Sequence, residues 1–368
     1  MQSSIFRMFL LVVILFSNYV IALPRFAVKL QDRCIDCHYN PSGGIVRNLN
    51  GWHWGKNNLS MISPRDKDFS MSPKISDNIS IGIDFRSQLL YSQNKSKMDF
   101  QNMSGSIYTA LSVSSQINIL GKYDFVNRIY EGYAIAHILP NNSYIKAGAF
   151  TPNFGIRIDD HTAYTRGGNF GLLFSQGVYQ GLIYNPFYTE AGVEVGVYGS
   201  DFLFATASVG SNLLSNSTLT KDPSYTARLE LNPSFDKFGL LFGASYAAVK
   251  TPTSVNMFGG FFGFGYDEFS LLAEYDIADG IINPDQKTNV LMIESSYGLL
   301  TGLDAVVRFD RIDPNPDVES DEISQVVAGF EFQPYSFIEV RPQYRLVMDA
   351  ANKDAKNDSF VLQFYFWY

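Results

Sequence analysis

From Asp77 onward the chain alternates hydrophobic and polar residues one by one. Ile79, Ile81, Ile83 and Phe85 fall on one face, and Ser80, Gly82, Asp84 and Arg86 on the other, which is the period of a β-strand. The split recurs far down the chain. Ala191, Val193, Val195 and Val197 oppose Glu190, Gly192, Glu194 and Gly196; Tyr225, Ala227, Leu229 and Leu231 oppose Thr226, Arg228 and Glu230; Ile338, Val340, Tyr344 and Leu346 oppose Glu339, Arg341, Gln343 and Arg345. About seventeen strand cores can be marked between 79–91 and 358–368, one of them at 176–184; since single-chain bacterial barrels have an even count, about 14–16 strands are expected. Segments 92–104, 151–175, 212–223, 312–322 and 350–357 are rich in Asn, Asp, Ser, Pro or Gly and predict loops.

Alternation is shared by water-soluble sandwiches, so two further features decide the class. Several segments outrun the turn spacing of a sandwich, as tilted membrane-spanning strands do. The chain also ends in Ser359-Phe360-Val361-Leu362-Gln363-Phe364-Tyr365-Phe366-Trp367-Tyr368, which places Phe360, Leu362, Phe364, Phe366 and Tyr368 on one face. In a soluble protein that strand would be an aggregation hazard. In an outer-membrane antiparallel β-barrel it faces lipid and closes against the first strand. An all-β barrel over 77–368 is therefore expected, with most long loops outside the cell. An even strand count leaves both barrel ends, and hence the N-terminal segment, on the periplasmic side.

Residues 1–22 carry the pattern of a secretory signal peptide: Arg7, an apolar run from Met8 to Phe16, and Val20-Ile21-Ala22 before the cleavage point. The run is too short to span a bilayer, which takes about 20 residues. Composition narrows the partners. Thirty Phe and 22 Tyr in 368 residues suit a large β-structure, whereas a net charge of −8 gives no footprint for nucleic acid. Two cysteines cannot staple a chain of this length.

Those two cysteines carry the chemistry. Cys34-Ile35-Asp36-Cys37-His38 is a C-x-x-C-H motif, holding both cysteines and one of four histidines, and it reads as a c-type haem attachment site. Two thiols at this spacing can form thioethers with one haem, and the adjacent imidazole then serves as the proximal iron ligand. A thioredoxin-like pair would not need the histidine and would sit in a βαβ context. Zinc would need a further ligand at suitable spacing. Tyr39-Asn40-Pro41-Ser42-Gly43-Gly44 predicts a tight turn. Arg33, Arg47 and Lys56 are candidate partners for haem propionates. For the sixth iron ligand His53 is the leading candidate, with Met61, Met71 and His137 as alternatives.

Residues 23–76 are too few to shield a haem alone. They are expected to form a small haem-binding plug in the periplasmic mouth, with the barrel completing the pocket. The lumen face, with Asp84, Arg86, Glu190, Glu194, Arg228, Glu230, Arg308, Glu339, Arg341 and Arg345, suits anchoring of such a plug by ion pairs. Thr151–Thr162 places Asp159, Asp160 and His161 together, either as a weak Fe²⁺ site or as a loop folded inward and held by Arg157–Asp pairs.

With Pro24-Arg25-Phe26-Ala27, the Cys34–His38 motif, Leu49-Asn50-Gly51 and the barrel that follows, the chain resembles the fused outer-membrane cytochrome–porins, single-haem proteins best known as iron oxidases. The resemblance implies one covalent haem c on Cys34 and Cys37, ligation by His38, and electron transfer across the outer membrane to a periplasmic cytochrome or other redox carrier. It implies extracellular Fe(II) as a candidate donor. Two other classes remain open: a porin or channel with a structural or sensory haem, and a haem enzyme such as a peroxidase, for which no distal acid–base pair is identified.

Overall fold

A computed structural model describes residues 24–30, 32–64, 72–94, 96–158, 160, 162–168, 181–185, 188–212, 222–250, 254–352 and 357–368. The signal-peptide segment, Met71, Asp159 and His161 lie outside them. Period-two patterning builds the strands β1 (Lys74–Ser76), β2 (Ile79–Ser92), β3 (Lys97–Ser112), β4 (Ile117–Asp124), β5 (Ile129–Ala136), β6 (Tyr144–Phe150), β7 (Glu190–Ser200), β8 (Leu203–Asn212) and β9 (Ser224–Leu231). The second half adds β10 (Ser234–Phe235), β11 (Phe238–Lys250), β12 (Ser254–Tyr266), β13 (Phe269–Asp279), β14 (Lys287–Leu300), β15 (Leu303–Asp313), β16 (Ile323–Tyr335), β17 (Ile338–Asp349) and β18 (Ser359–Trp367).

Apart from the short β1 and β10, these strands pair antiparallel with their sequence neighbours, and β18 pairs with β2 to close a 16-stranded barrel. The terminal strand closes the wall as its pattern requires: Phe366 lies opposite Phe85, and Phe360, Phe364 and Phe366 face outward. The outside is a belt of Val, Ile, Leu, Phe and Tyr, with Phe258 57% exposed. Such a surface suits hydrocarbon, and the closed wall leaves no unpaired edge for the bilayer to meet. Among the described residues no helix is long and apolar enough to cross a membrane.

Three expectations are corrected. Residues 97–104 are strand, because the polar β2–β3 hairpin turns only at 93–96. The core marked at 176–184 is not a strand where it is described: 181–184 is loop, and its apolar residues Leu182 and Tyr184 are buried inside the barrel. Tyr368 does not face lipid. It lies just past β18, with its ring 5.7 Å from that of Trp52 and 5.5 Å from that of Phe337.

The barrel has a tight-turn end, with two-residue connections at 201–202, 267–268, 301–302 and 336–337, and an opposite end with longer connections. The N-terminal segment enters at the tight-turn end as three helices: α1 (Pro24–Leu30), α2 (Cys34–Cys37) and α3 (Leu49–Asn58). Helix α1 lies against β11, β12 and β13. Its Val28 is 1% exposed, and a Cβ on Gly239 or Gly265 would sit 2.1 Å from the Val28 carbonyl oxygen, so glycine on the wall is what lets the helix approach. Arg25 pairs with Glu331 on β16 and Lys29 with Asp304 on β15. Beyond α3, Met61 N donates to Gln333 O, and Ile62 forms a bridge with Tyr335 at the rim.

From the long-loop end, segment 151–168 folds into the lumen. Gly155, at φ +56°, donates its N–H to Ser245, Ile156 N donates to Glu274, and the Arg228 side chain donates to Gly155 O. Asp160 accepts from Arg308 at 2.8 Å.

Candidate haem-attachment site

The Cys-x-x-Cys stretch is one helical turn, closed by His38 N donating to Cys34 O at 2.8 Å. Asp36 caps it by accepting from Arg33 N at 2.9 Å. The chain then bends through the predicted turn: Asn40 accepts from Ser42 N, Gly43 N donates to Asn40 O, and Gly43 and Gly44 take φ of +83° and +113°. It returns antiparallel, with His38 bridged to Arg47.

Asn48 joins the two halves, a role the sequence reading missed. Its side-chain oxygen accepts from Gly51 N and caps α3, while its amide donates to the carbonyls of Ile35 and Asp36. Asn immediately before a helix is a favoured N-cap, so half of this role is visible in the sequence. Helix α3 then lies so close to the motif that a Cβ on Gly51 would sit 2.1 Å from Cys37 O.

Cys34, Cys37 and His38 line one cavity of about 470 Å³ between the N-terminal segment and the barrel wall, within the size range of small-molecule and cofactor sites. The far wall includes Tyr133, Arg157 and Arg228, and Trp54 and Trp367 close the tight-turn side. Both thiols are free. Burial pushes the Cys34 thiol up to about 12, with Glu230 adding to the shift. Burial, then Asp32 and Asp36, push Cys37 up to about 11. The pair is therefore protonated at neutral pH, the reverse of an activated redox dithiol. His38 is 7% exposed, its Nδ1 has no hydrogen-bond partner, and burial with Arg47 and Arg157 nearby lowers its pKa to about 3. A buried, neutral imidazole with an unmet nitrogen is a costly arrangement unless a further group completes it. Two thiols and an imidazole on the wall of one cavity form a donor set that fits a covalently held haem.

His53 is not brought to this site. It is exposed on α3 and does not line the cavity, while its neighbours Trp52 and Trp54 point inward from that helix turn. Met61 is exposed at the rim, and His137 binds Asn142 O at the tight-turn end. Among the described residues no second His and no Met lines the cavity. The inward fold of the described part of segment 151–168 matches one of the two expectations, but among the described residues Arg157 makes no Asp pair. It donates to the carbonyls of Thr151 and Pro152, while Asp160 accepts from Thr162 and pairs with Arg308. Among the described residues no cluster of His, Cys, Asp and Glu is arranged for a bare metal ion.

The fold and its plugged lumen define a porin-type β-barrel. The chain is similar to OprB of Pseudomonas putida (10% identity over 79% of this chain and 94% of that one, TM-score 0.60). It is similar also to OmpT of Vibrio cholerae (12% identity, 81% and 100%, TM-score 0.54) and to the outer membrane channel DcaP of Acinetobacter baumannii (11%, 81% and 100%, TM-score 0.54). No family model matches the chain. None of the curated proteins matches it.

Proposed function

We propose that the chain is an outer-membrane electron-transfer protein carrying one covalent haem c, attached to Cys34 and Cys37 and ligated by His38, inside a porin-type barrel. The observation that carries this reading is the meeting of both thiols and a buried imidazole on one cavity lined jointly by the N-terminal segment and the barrel. A haem bound there supplies one-electron chemistry. The protein's part is to hold the motif turn through Asn48, keep His38 neutral, and line the site with both the N-terminal segment and the barrel wall. In this reading the tight-turn end faces the periplasm and a periplasmic cytochrome or other redox carrier, and the long-loop end faces an extracellular donor such as Fe(II).

Haem staining of outer-membrane fractions on a denaturing gel tests it, with wild type beside Cys34→Ala/Cys37→Ala in a host that matures c-type cytochromes. A stained band at the full mature mass, lost in the variant, is expected. An inserted but unstained wild type would sink the haem.

A second reading, a porin or channel with a structural or sensory haem, is favoured by the shared fold with an outer membrane channel. Against it, α1 and segment 151–168 both occupy the lumen. Reduction of the stained protein by dissolved Fe²⁺ would favour the first reading, and solute flux through the intact chain the second.

A further inference from the structure

The cations around the cavity divide into two groups. Arg25, Lys122, Arg166, Arg228, Arg308 and Arg341 each have a carboxylate partner: Glu331, Glu131, Glu274, Glu230, Asp160 and Glu339 respectively. Arg47 and Arg157 have none among the described residues, and these are the two that flank His38. Arg47 is bridged to His38 through its backbone and lays its guanidinium 4.1 Å above the ring of Trp367. Arg157 comes from the inward loop. Its Nη2 is fixed by Thr151 O at 2.8 Å and Pro152 O at 3.3 Å. Its Nη1 would lie 3.9 Å from a Cβ on Gly44, beside the turn that follows the motif.

Asp32 and Glu294 also line the cavity, but among the described residues neither lies within ion-pair reach of Arg47 or Arg157, so these two guanidinium groups are the ones open to an added negative group. A carboxylate is the natural partner of a guanidinium, since the planar fork can give it two parallel hydrogen bonds. We infer that Arg47 and Arg157 together hold the two carboxylates of the group bound in the cavity, one from the N-terminal segment and one from the barrel. This assignment rests on the haem reading, since haem carries two propionates. It gives the inward loop a task beyond narrowing the lumen: Arg157 ties the barrel to the cofactor.

The test is a redox titration of the purified, haem-loaded protein in detergent, comparing wild type with Arg157→Gln, Arg47→Gln and Arg157→Lys. Loss of a positive charge near the iron favours the oxidised form. Arg157→Gln is expected to shift the oxidised-to-reduced ratio at fixed ambient potential by about tenfold, or about 59 mV downward for one electron. Arg47→Gln should shift it the same way, and Arg157→Lys should restore most of the wild-type value. Haem staining stays intact throughout, because the thioethers do not depend on either arginine. Stained variants with the wild-type potential would overturn the assignment and leave the haem standing. An unstained wild type would overturn the haem itself. If Arg157→Gln does not fold, Arg47→Gln decides by the same criterion.

Discussion

Gly51→Ala separates a docked N-terminal segment from a loosely associated one, because the two cases give opposite signs. In an isolated helix the change would stabilise α3 by roughly 0.5–1 kcal/mol, alanine being the better helix former. Here the new Cβ would lie 2.1 Å from Cys37 O, an atom of the backbone that cannot swing aside. That carbonyl also accepts from Asn48 N at 3.0 Å, so moving it strains the link between motif and helix. Overpacking of this kind costs about 1–3 kcal/mol and the weakened hydrogen bond about 1 kcal/mol. Against the helical gain, a net loss of about 2 kcal/mol is expected, roughly a thirtyfold shift in the docking equilibrium. The reporter is built in. Trp52, Trp54 and Trp367 are the chain's three tryptophans, and all lie at this site. Tryptophan fluorescence during urea titration in detergent should show undocking at lower urea in Gly51→Ala, with Gly260→Ala, where the nearest atom to a new Cβ lies 4.0 Å away, as control. An unchanged or raised midpoint would refute the packing of α3 on the motif.

Arg25→Met removes the nearer of two cations at buried Glu331, leaving Arg341 at 3.9 Å, and should weaken docking by about 2 kcal/mol, read by the same fluorescence; Glu331→Arg combined with Arg25→Glu should recover part of it. Deleting 24–64 should raise single-channel conductance in planar bilayers; unchanged current would assign the block to the inward segment 151–168. Asp160→Asn in that deletion should increase open-channel gating noise by freeing the inward loop. Burial alone would raise the Asp160 pKa, but Arg308, Arg345 and the bonds from Thr162 outweigh it and hold it below the usual carboxylate range. The ion-pair contribution is thus fully present above the ordinary Asp pKa of about 3.9 and lost only as pH falls below it. Channel noise in the deletion protein should therefore stay constant from pH 7 to about pH 4, and a rise near pH 6 would argue against this latch.

The barrel was legible because lipid outside and a polar lumen inside enforce the same alternation on every strand. Ile79, Ile81 and Ile83 face out and Asp84 and Arg86 face in, as the pattern requires. Local chemistry was equally readable: Asn40 and the Gly43-Gly44 pair build the turn their types predict. What sequence could not give was the pairing of distant segments. Arg157 and His38 stand more than a hundred positions apart and meet only because a loop folds inward. His53 was favoured for its proximity along the chain, but a helix turns neighbouring side chains about 100° apart, and the inward directions went to Trp52 and Trp54.

One signal was present and went unread. At the long-loop ends of β11 to β15 the lumen face is not polar: Ala247, Val249, Val255, Met257, Ala278, Val290 and Ile312 all point inward. An apolar face inside a barrel must be covered by something other than water. Here it is covered by Phe154, Tyr164, Leu182, Tyr184 and Tyr188 of the inward segment. The same β11–β13 wall carries, toward the tight-turn end, the glycines that admit α1. One side of the barrel thus receives a plug from each end, and the cavity lies between them. An open porin has no use for an apolar lumen wall, because its channel is wet. Here the apolar inner stripe and the glycine floor both follow from a lumen that is filled, and the space left over is the one that Cys34, Cys37 and His38 face.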